Sequence, residues 1–322
     1  MKDKEYISTQ GTKPCYIGGQ AVIEGVMMRG KNMYSMAVRN GDGDIVIESQ
    51  NFEEKESSKN LKKMPIVRGV FAFIDSMVLG IKIISRSAEM AGIEEEENPG
   101  KFEKFLTEKL GDKLNDIIMG ISMVISVVLA VGLFMLLPVF IGSFFNKIEY
   151  ISNNSWALGI IEGIIRLLIF ILYIYIISLN KDIHRVFQYH GAEHKTINCL
   201  EHEEELTVEN VKKYSRYHRR CGTSFLLIVM VISMIFFLFV NTKSLPLRFF
   251  SRVIFVPFIA GVSYEVIRWA GRSKSSLVEI VSYPGMKLQG LTTKEPEAEH
   301  IECAIKAMKD VLERDGKNGS RS

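Results

Sequence analysis

Several features that would assign a function class at once are scarce or missing in this chain. Of its 322 residues four are cysteines (Cys15, Cys199, Cys221 and Cys303), and no two of them form a C-x-x-C pair. A disulfide framework is therefore not indicated, which suits a reducing compartment. The net charge of +3 is too small to imply a nucleic-acid partner. A glycine-rich stretch runs from Gly18 to Gly30 but contains neither G-x-G-x-x-G nor a P-loop, so it gives no nucleotide signature. The first 60 residues lack a basic start followed by an apolar core, and no signal peptide is expected. No internal repeat is visible.

Long uncharged runs, by contrast, are present. Residues 117–140 carry no charge over 24 positions and residues 222–240 none over 19, against the roughly 18 needed to cross the hydrocarbon core. A buried helix of a soluble protein is rarely apolar all round for so long. Residues 156–179 form a third run, in which Glu162 and Arg166 are spaced i, i+4 and are expected to pair within the helix. Residues 253–270 form a fourth, containing Pro257 and ending in Glu265 and Arg268. Lys and Arg crowd the segment before the first run and the connection between the second and third. By the positive-inside rule both termini and the central loop face the cytoplasm. Lys243, Arg248 and Arg252, read as an outside loop, count against this without reversing it.

The expected fold class is an α-helical membrane protein with about four transmembrane helices, a small N-terminal β-rich cytoplasmic unit and a C-terminal amphipathic helix. Its parts are residues 1–63 as the β-rich, glycine-rich unit, 64–113 as an amphipathic interfacial helix and linker, 114–272 as the membrane bundle with a histidine-rich loop at 180–221, and 273–322 as a C-terminal turn and helix. Tyr34 to Arg39 and Asp44 to Ser49 read as two strands around Asn40-Gly41-Asp42-Gly43. The upstream glycines imply tight turns or close backbone approach. Residues 51–63 read as a polar linker, and Glu94 to Glu97 with Asn98-Pro99-Gly100 as a solvated break. From Pro65, Ile66, Val70, Phe73, Met77, Ile81 and Ile84 recur at helical spacing, the pattern of a helix lying at a membrane surface. Tyr283-Pro284-Gly285 marks a turn, and Pro296 starts a last helix striped by Ile301, Ile305, Met308 and Leu312.

The chemistry concentrates at Gln188-Tyr189-His190-Gly191-Ala192-Glu193-His194-Lys195. On a helix the H-x-x-E-H spacing puts His190 and His194 one turn apart on one face with Glu193 beside them. Two imidazoles so placed can share a divalent metal, Zn²⁺ above all, while the carboxylate takes a proton from its water. The plainer reading is a helix whose histidines bond to their neighbours, and both stand at this point. Gly191 inside a helix costs about 1 kcal/mol relative to Ala, so it needs a reason such as close packing or ligand access. His218 and Cys221, three apart before the third run, could add further ligands, and Glu265 could complete a His-His-Glu set. Arg68, Arg219 and Arg220 are candidates to hold an anionic group of a substrate. Against each stands a structural role: an ion pair of Glu265 with Arg166 or Arg268, packing for Cys221, snorkelling for the arginines. Glu24 and Arg29 read as surface or packing residues, His202 within Glu201 to Glu205 as solvated, and His300 as structural.

Four ordered motifs together resemble the YqhQ family: Ile17 to Gly30, Pro65-Ile66-Val67-Arg68-Gly69, Tyr189 to Thr196, and Arg220-Cys221-Gly222-Thr223-Ser224-Phe225. The resemblance runs from Gly18 to about Leu312, with Arg219 standing where proline is expected. It implies a bacterial multi-pass protein of the cytoplasmic membrane, described as a predicted metal-dependent enzyme, with H-x-x-E-H as the metal site. It implies no substrate. The leading expectation is a hydrolase at the cytoplasmic face acting on a lipid or a membrane-anchored peptide, with the bilayer as partner. The alternative is a scaffold, transporter or lipid-handling protein whose histidines serve structure or ion coupling. Di-iron oxidation ranks below both, since such sites need more histidines than the six present.

Overall fold

The computed structural model describes residues 17–52, 64–92, 114–219, 221–240, 244–270 and 276–319. Most of the expected linker at 51–63, the acidic break at Glu94 to Glu97 with Asn98-Pro99-Gly100, and Arg220 lie outside the described residues. One antiparallel sheet holds strands β1 (Gly18–Val22), β2 (Gly25–Arg29), β3 (Met33–Arg39) and β4 (Ile45–Asn51) in sequence order. The helices are α1 (Val67–Met90), α2 (Leu114–Val131), α3 (Leu137–Phe144), α4 (Glu149–Asn153), α5 (Ser155–Ile177), α6 (Lys181–Glu201), α7 (Val208–Lys212), α8 (Gly222–Phe239), α9 (Leu245–Ile254), α10 (Val256–Ala270), α11 (Ser276–Thr292) and α12 (Ala298–Gly319). They fall into two compact units, one of Met1–Ile93, Ile174–Val229 and Pro257–Ser322, the other of Glu94–Tyr173 and Met230–Val256.

In the first unit the two-residue period of the strands makes two faces. Val22, Met27, Tyr34, Met36 and Val38 pack with Ile83 of α1 on one side. Val26, Met28 and Ala37 pack on the other with Tyr189, Ala192 and Ile197 of α6 and Ile301, Ala304, Met308 and Val311 of α12. Each buried Val, Ile or Met among them contributes roughly 1.5–3 kcal/mol. The glycine-rich stretch, expected to make tight turns or close backbone approach, forms β1 and β2. Close approach is the reason for its glycines: a Cβ on Gly25 would lie 2.3 Å from the carbonyl oxygen of Ala37.

Two C-terminal expectations are also corrected. Tyr283-Pro284-Gly285 lies inside α11 rather than at a turn. Gly285 packs against Ser224, whose Cβ would be 2.8 Å from a Cβ there, so the glycine serves close packing within the helix. In α12, Ile301, Ile305 and Met308 are buried as a stripe, but Leu312 is 41% exposed and Val311 takes the core position. Cys303, Ala304 and Ala307 beside them are small enough to seat the helix close on the sheet.

Among the described residues, three helical stretches are long and apolar enough to cross a membrane: Gly120–Phe144, Trp156–Ile177 and Gly222–Phe239. The pair Pro246–Ile254 and Val256–Trp269, bent by 45°, makes a fourth if taken as one span. The continuous run expected at 253–270 is thus two helices broken at Phe255. Pro257 sits in the first turn of α10, where a missing N–H costs no helical hydrogen bond.

In the second unit Glu162 does not pair with Arg166. Its two oxygens accept from Arg248 and Arg252, one turn apart on α9, at 2.7 Å each. Both arginines, read from sequence as loop charges, are helix residues no more than 2% exposed. Arg166 instead donates to the carbonyl of Phe134 at 3.0 Å and to Ser233 Oγ at 3.2 Å. Phe134 lies in the π-turn Gly132–Leu136, whose widened backbone presents that carbonyl.

Replacing Glu162 by Gln leaves these buried guanidiniums without a counter-charge. The expected loss is about 3–5 kcal/mol, read as a lowered Tm of the purified protein in detergent. Arg86→Ala, which breaks only exposed pairs with Glu48 and Glu89, should shift stability by less than about 1 kcal/mol. Equal Tm values for the two variants would contradict this account of the bundle.

Candidate metal centre

Helix α6 starts at Asn180, whose side-chain oxygen accepts the N–H groups of Asp182 and Ile183 at 2.8 and 3.2 Å. Along one face it carries His190, His194, Asn198 and Glu201, spaced as helical neighbours. This polar stripe is mostly buried, so each group needs a partner. Asn198 Nδ2 donates to the carbonyls of Ser215 and Tyr217 at 2.7 and 3.1 Å, tying the segment before α8 to the helix. Gln289 of α11 clamps His218 by its backbone, accepting its N–H at 2.9 Å and donating to its C=O at 2.8 Å.

Those attachments deliver two carbonyls to the histidines. His190 Nδ1 lies 2.8 Å from the carbonyl of Thr292, and His194 Nδ1 2.6 Å from that of Arg216. A carbonyl only accepts, so each Nδ1 carries a proton and donates, and in the neutral imidazole, the form that can bind a metal, each Nε2 keeps its lone pair. The rings lie 4.4 Å apart between centroids. Among the described residues one group of donors converges, His190, His194 and Cys221, with ligand atoms within 4.8 Å of one another. Cys221 Sγ is 3.3 Å from His190 Nε2, close to the roughly 3.5 Å that two ligands of one tetrahedral Zn²⁺ keep. An imidazole held by a carbonyl on its far nitrogen is the usual outer support of a zinc ligand. The chemistry and spacing of this set fit a zinc ion.

Glu193 is 4% exposed, with Oε2 3.8 Å from His190 Nε2. Burial raises its carboxyl above the usual range, although His194 and His190 pull the other way. Burial would likewise raise the Cys221 thiol, but the imidazoles of His190 and His194 hold it well below the ordinary value. Burial alone would lower His190; the Cys221 thiolate, their hydrogen bond and Glu193 carry it instead up to about 9. The cavity here, about 630 Å³, is lined by these groups together with Ile17 to Ala21 of the β1 segment, Phe187, His218 and Leu226.

Glycines decide how closely the walls approach. A Cβ on Gly19 would lie 2.6 Å from Glu193 Cγ, so any larger residue there would displace the carboxylate side chain. A Cβ on Gly191 would lie 2.1 Å from the carbonyl oxygen of Lys294. That contact is the close packing its helix position called for, and it seats the segment after Thr292 across α6.

The remaining candidates lie elsewhere or act differently. His218 lines the cavity, but its Nε2 is 3.5 Å from Glu201 Oε2 and outside the converging donors. Glu265, expected as a possible ligand, is held by Arg68, whose Nε donates to it at 2.6 Å; the same pair occupies the Arg68 guanidinium. Arg219 is half-buried and does not line the cavity, and Arg220 lies outside the described residues. Sequence reading passed over Asn198, Glu201, Gln289 and Thr292. The first two could have been found from the stripe His190–His194–Asn198–Glu201; nothing local marks the others. Glu24, read as a surface or packing residue, pairs with Arg185 and accepts from Tyr189 Oη, fixing the β1–β2 turn to α6.

A family model described as protein of unknown function (DUF1385) matches residues 64–314. The chain is 37% identical over 309 residues to "Uncharacterized protein YqhQ" of Bacillus subtilis (strain 168), covering 95% of each chain. No solved structure matches.

Metal-stripped protein should react with iodoacetamide at Cys221 about as fast at pH 6 as at pH 8, because the thiolate persists beside protonated His190; an ordinary thiol slows about tenfold per unit below its pKa. Cys199 and Cys303, each pushed up by burial to about 11, should stay unlabelled. Peptide mapping of the alkylated protein gives the rates, and a tenfold drop per pH unit at Cys221 contradicts the ion pair. Gly191→Ala should cost about 1–3 kcal/mol through overpacking, measured by thermal unfolding.

Proposed function

The chain belongs to the DUF1385 family that includes YqhQ, and from the centre just described we propose that it is a membrane-embedded, zinc-dependent hydrolase working at the membrane boundary. One observation carries the reading: two imidazoles fixed by main-chain carbonyls turn their free nitrogens toward one thiolate, beside a buried carboxylate and an open cavity. His190, His194 and Cys221 are the proposed ligands, a choice that favours Cys221 over His218 and Glu265.

Zn²⁺ held by this set would act as a Lewis acid and lower the pKa of bound water to near 7. Thr292 and Arg216 keep both histidines in the ligating tautomer. Glu193, raised toward the range of a working base by burial, takes the proton from water and returns it to the leaving group. Leu226, in the second turn of an apolar helix long enough to span, lines the same cavity, which supports a substrate anchored in or near the lipid. The distribution of Lys and Arg supports a site on the cytoplasmic side of the cytoplasmic membrane with both termini inside. The exposed apolar residues Ile74, Met77, Val78 and Ile81 of α1 support its lying on that surface.

A second reading has its own observation. Cys221 Sγ accepts the N–H of Thr223 at 3.4 Å, lies 3.1 Å from its hydroxyl at the start of α8, and contacts His190. That is also the arrangement of a thiolate nucleophile with a histidine partner.

Elemental analysis of the purified protein separates them. The zinc reading expects one Zn²⁺ per chain, lost in folded His190→Ala and His194→Ala variants. Metal-free protein whose hydrolysis is abolished by iodoacetamide supports the thiol reading. Metal-free protein whose His190→Ala plus His194→Ala variant keeps its cellular role supports the scaffold, transporter or lipid-handling alternative.

A further inference from the structure

Helix α9 is built the opposite way round from a helix on the surface of a water-soluble protein. Leu247, Phe250 and Ile254 are exposed on it, while Arg248 and Arg252, one turn apart, are among the most deeply buried side chains of the chain. That polarity suits hydrocarbon outside and charge inside.

Within the second unit these two arginines meet Arg166 of α5 around shared groups. Glu162 takes Arg248 on one oxygen and Arg252 on the other. The ring of Phe237 on α8 lies under Arg252, 3.9 Å from its guanidinium carbon, and Arg166 stands 5.9 Å from the same ring centroid. The hydrogen bonds of Arg166 go to neutral oxygens, those of Phe134 and Ser233. Three buried guanidiniums thus gather in one place, and among the described residues a single carboxylate pairs with them.

Neither charge nor hydrogen bonding closes there. Arginine stays protonated in proteins, so two positive charges are left over once Glu162 is counted against three guanidiniums. Arg248 Nε, Arg252 Nε and Arg252 Nη1 are buried donors that meet no acceptor, although buried donors are normally satisfied. A guest with two negative charges and several acceptor oxygens supplies both deficits. A carboxylate brings one charge. A phosphoryl group brings about two at neutral pH, and its oxygens match the guanidinium fork.

We propose that this cluster is an anion site of the apolar bundle and takes a phosphoryl group, either the phosphate monoester of a lipid or free inorganic phosphate. Arg252 is its centre, with Arg248 and Arg166 on either side. Glu162 is a positioning residue, which holds Arg248 and Arg252 side by side against their mutual repulsion. The site shares no residue with the metal centre, and it stands whether or not the protein is a hydrolase.

The test is calorimetric binding to the full-length protein in a neutral detergent. The probes are dioctanoyl phosphatidate, dioctanoyl phosphatidylcholine and inorganic phosphate. Phosphatidate should bind once per chain and at least ~10-fold more tightly than phosphatidylcholine, whose single phosphate charge is cancelled by choline. Inorganic phosphate that binds and displaces phosphatidate identifies the free anion as the guest; inorganic phosphate that does neither identifies the lipid. Both results support the site. Arg252→Lys keeps the charge beside Glu162 but loses the fork, so it should weaken binding by at least ~10-fold. EDTA should leave binding unchanged, because no metal ion takes part. Hydrogen exchange of the wild-type protein should slow over residues 245–254 on binding, a readout independent of how the variant folds. The site is overturned if neither phosphatidate nor phosphate binds more tightly than phosphatidylcholine. It is equally overturned by binding that EDTA abolishes, by binding undiminished in folded Arg252→Lys, or by unchanged exchange over 245–254.

Discussion

The Nδ1–H groups of His190 and His194 each donate to a main-chain carbonyl, that of Thr292 at 2.8 Å and that of Arg216 at 2.6 Å, and the rest of the centre depends on those two bonds. They choose the tautomer, lock both rings and turn both Nε2 atoms the same way. Without them a pair of imidazoles on one helical face is a pair of polar groups to be solvated. With them, the rings and the Cys221 thiol enclose one small volume.

The carbonyls are in turn held by packing that only small or bidentate residues allow. Gly191 lets the chain after α11 cross α6 at the distance Thr292 requires. Asn198 and Gln289 each hold main-chain groups of residues 215–218, and that segment leads into Cys221 at the start of α8. The local helix is therefore a platform, and the precision of the site comes from three segments tied across it. Gly19 extends the same logic to the sheet, leaving room for the Glu193 side chain.

Buried charge is handled in two ways in this chain. In the second unit Glu162 receives one guanidinium on each oxygen, and fixed positive charges stabilise it where water is excluded. In the first unit Glu193 has imidazoles and a thiol for neighbours, groups that can gain or lose a proton; burial raises its own carboxyl, and the imidazoles hold the Cys221 thiol low. The first arrangement suits rigidity. The second suits chemistry, because its charge state responds to a ligand.

Much of the architecture could be read from the chain because it depends on near neighbours. Apolar length gave three helices long enough to cross a membrane, and helical spacing put His190, Glu193 and His194 on one helix. What failed was also physical. Glu162 and Arg166 had the right spacing to pair, yet two arginines from α9, 86 and 90 positions away, took the carboxylate. Pro284 and Gly285 had turn composition, yet they lie within a helix where Gly285 packs against Ser224.

By itself the sequence determined the long apolar helices, the β3–β4 hairpin and the pair of histidines on one helical face, since periodicity and intrahelical contacts act within about four residues. Only the tertiary structure decided which third donor joins them and which way the rings face. Cys221 is 31 positions from His190, and the carbonyl that orients that ring is 102 positions away. Contacts at such separations are set by how whole segments pack, and no local pattern of residues encodes them.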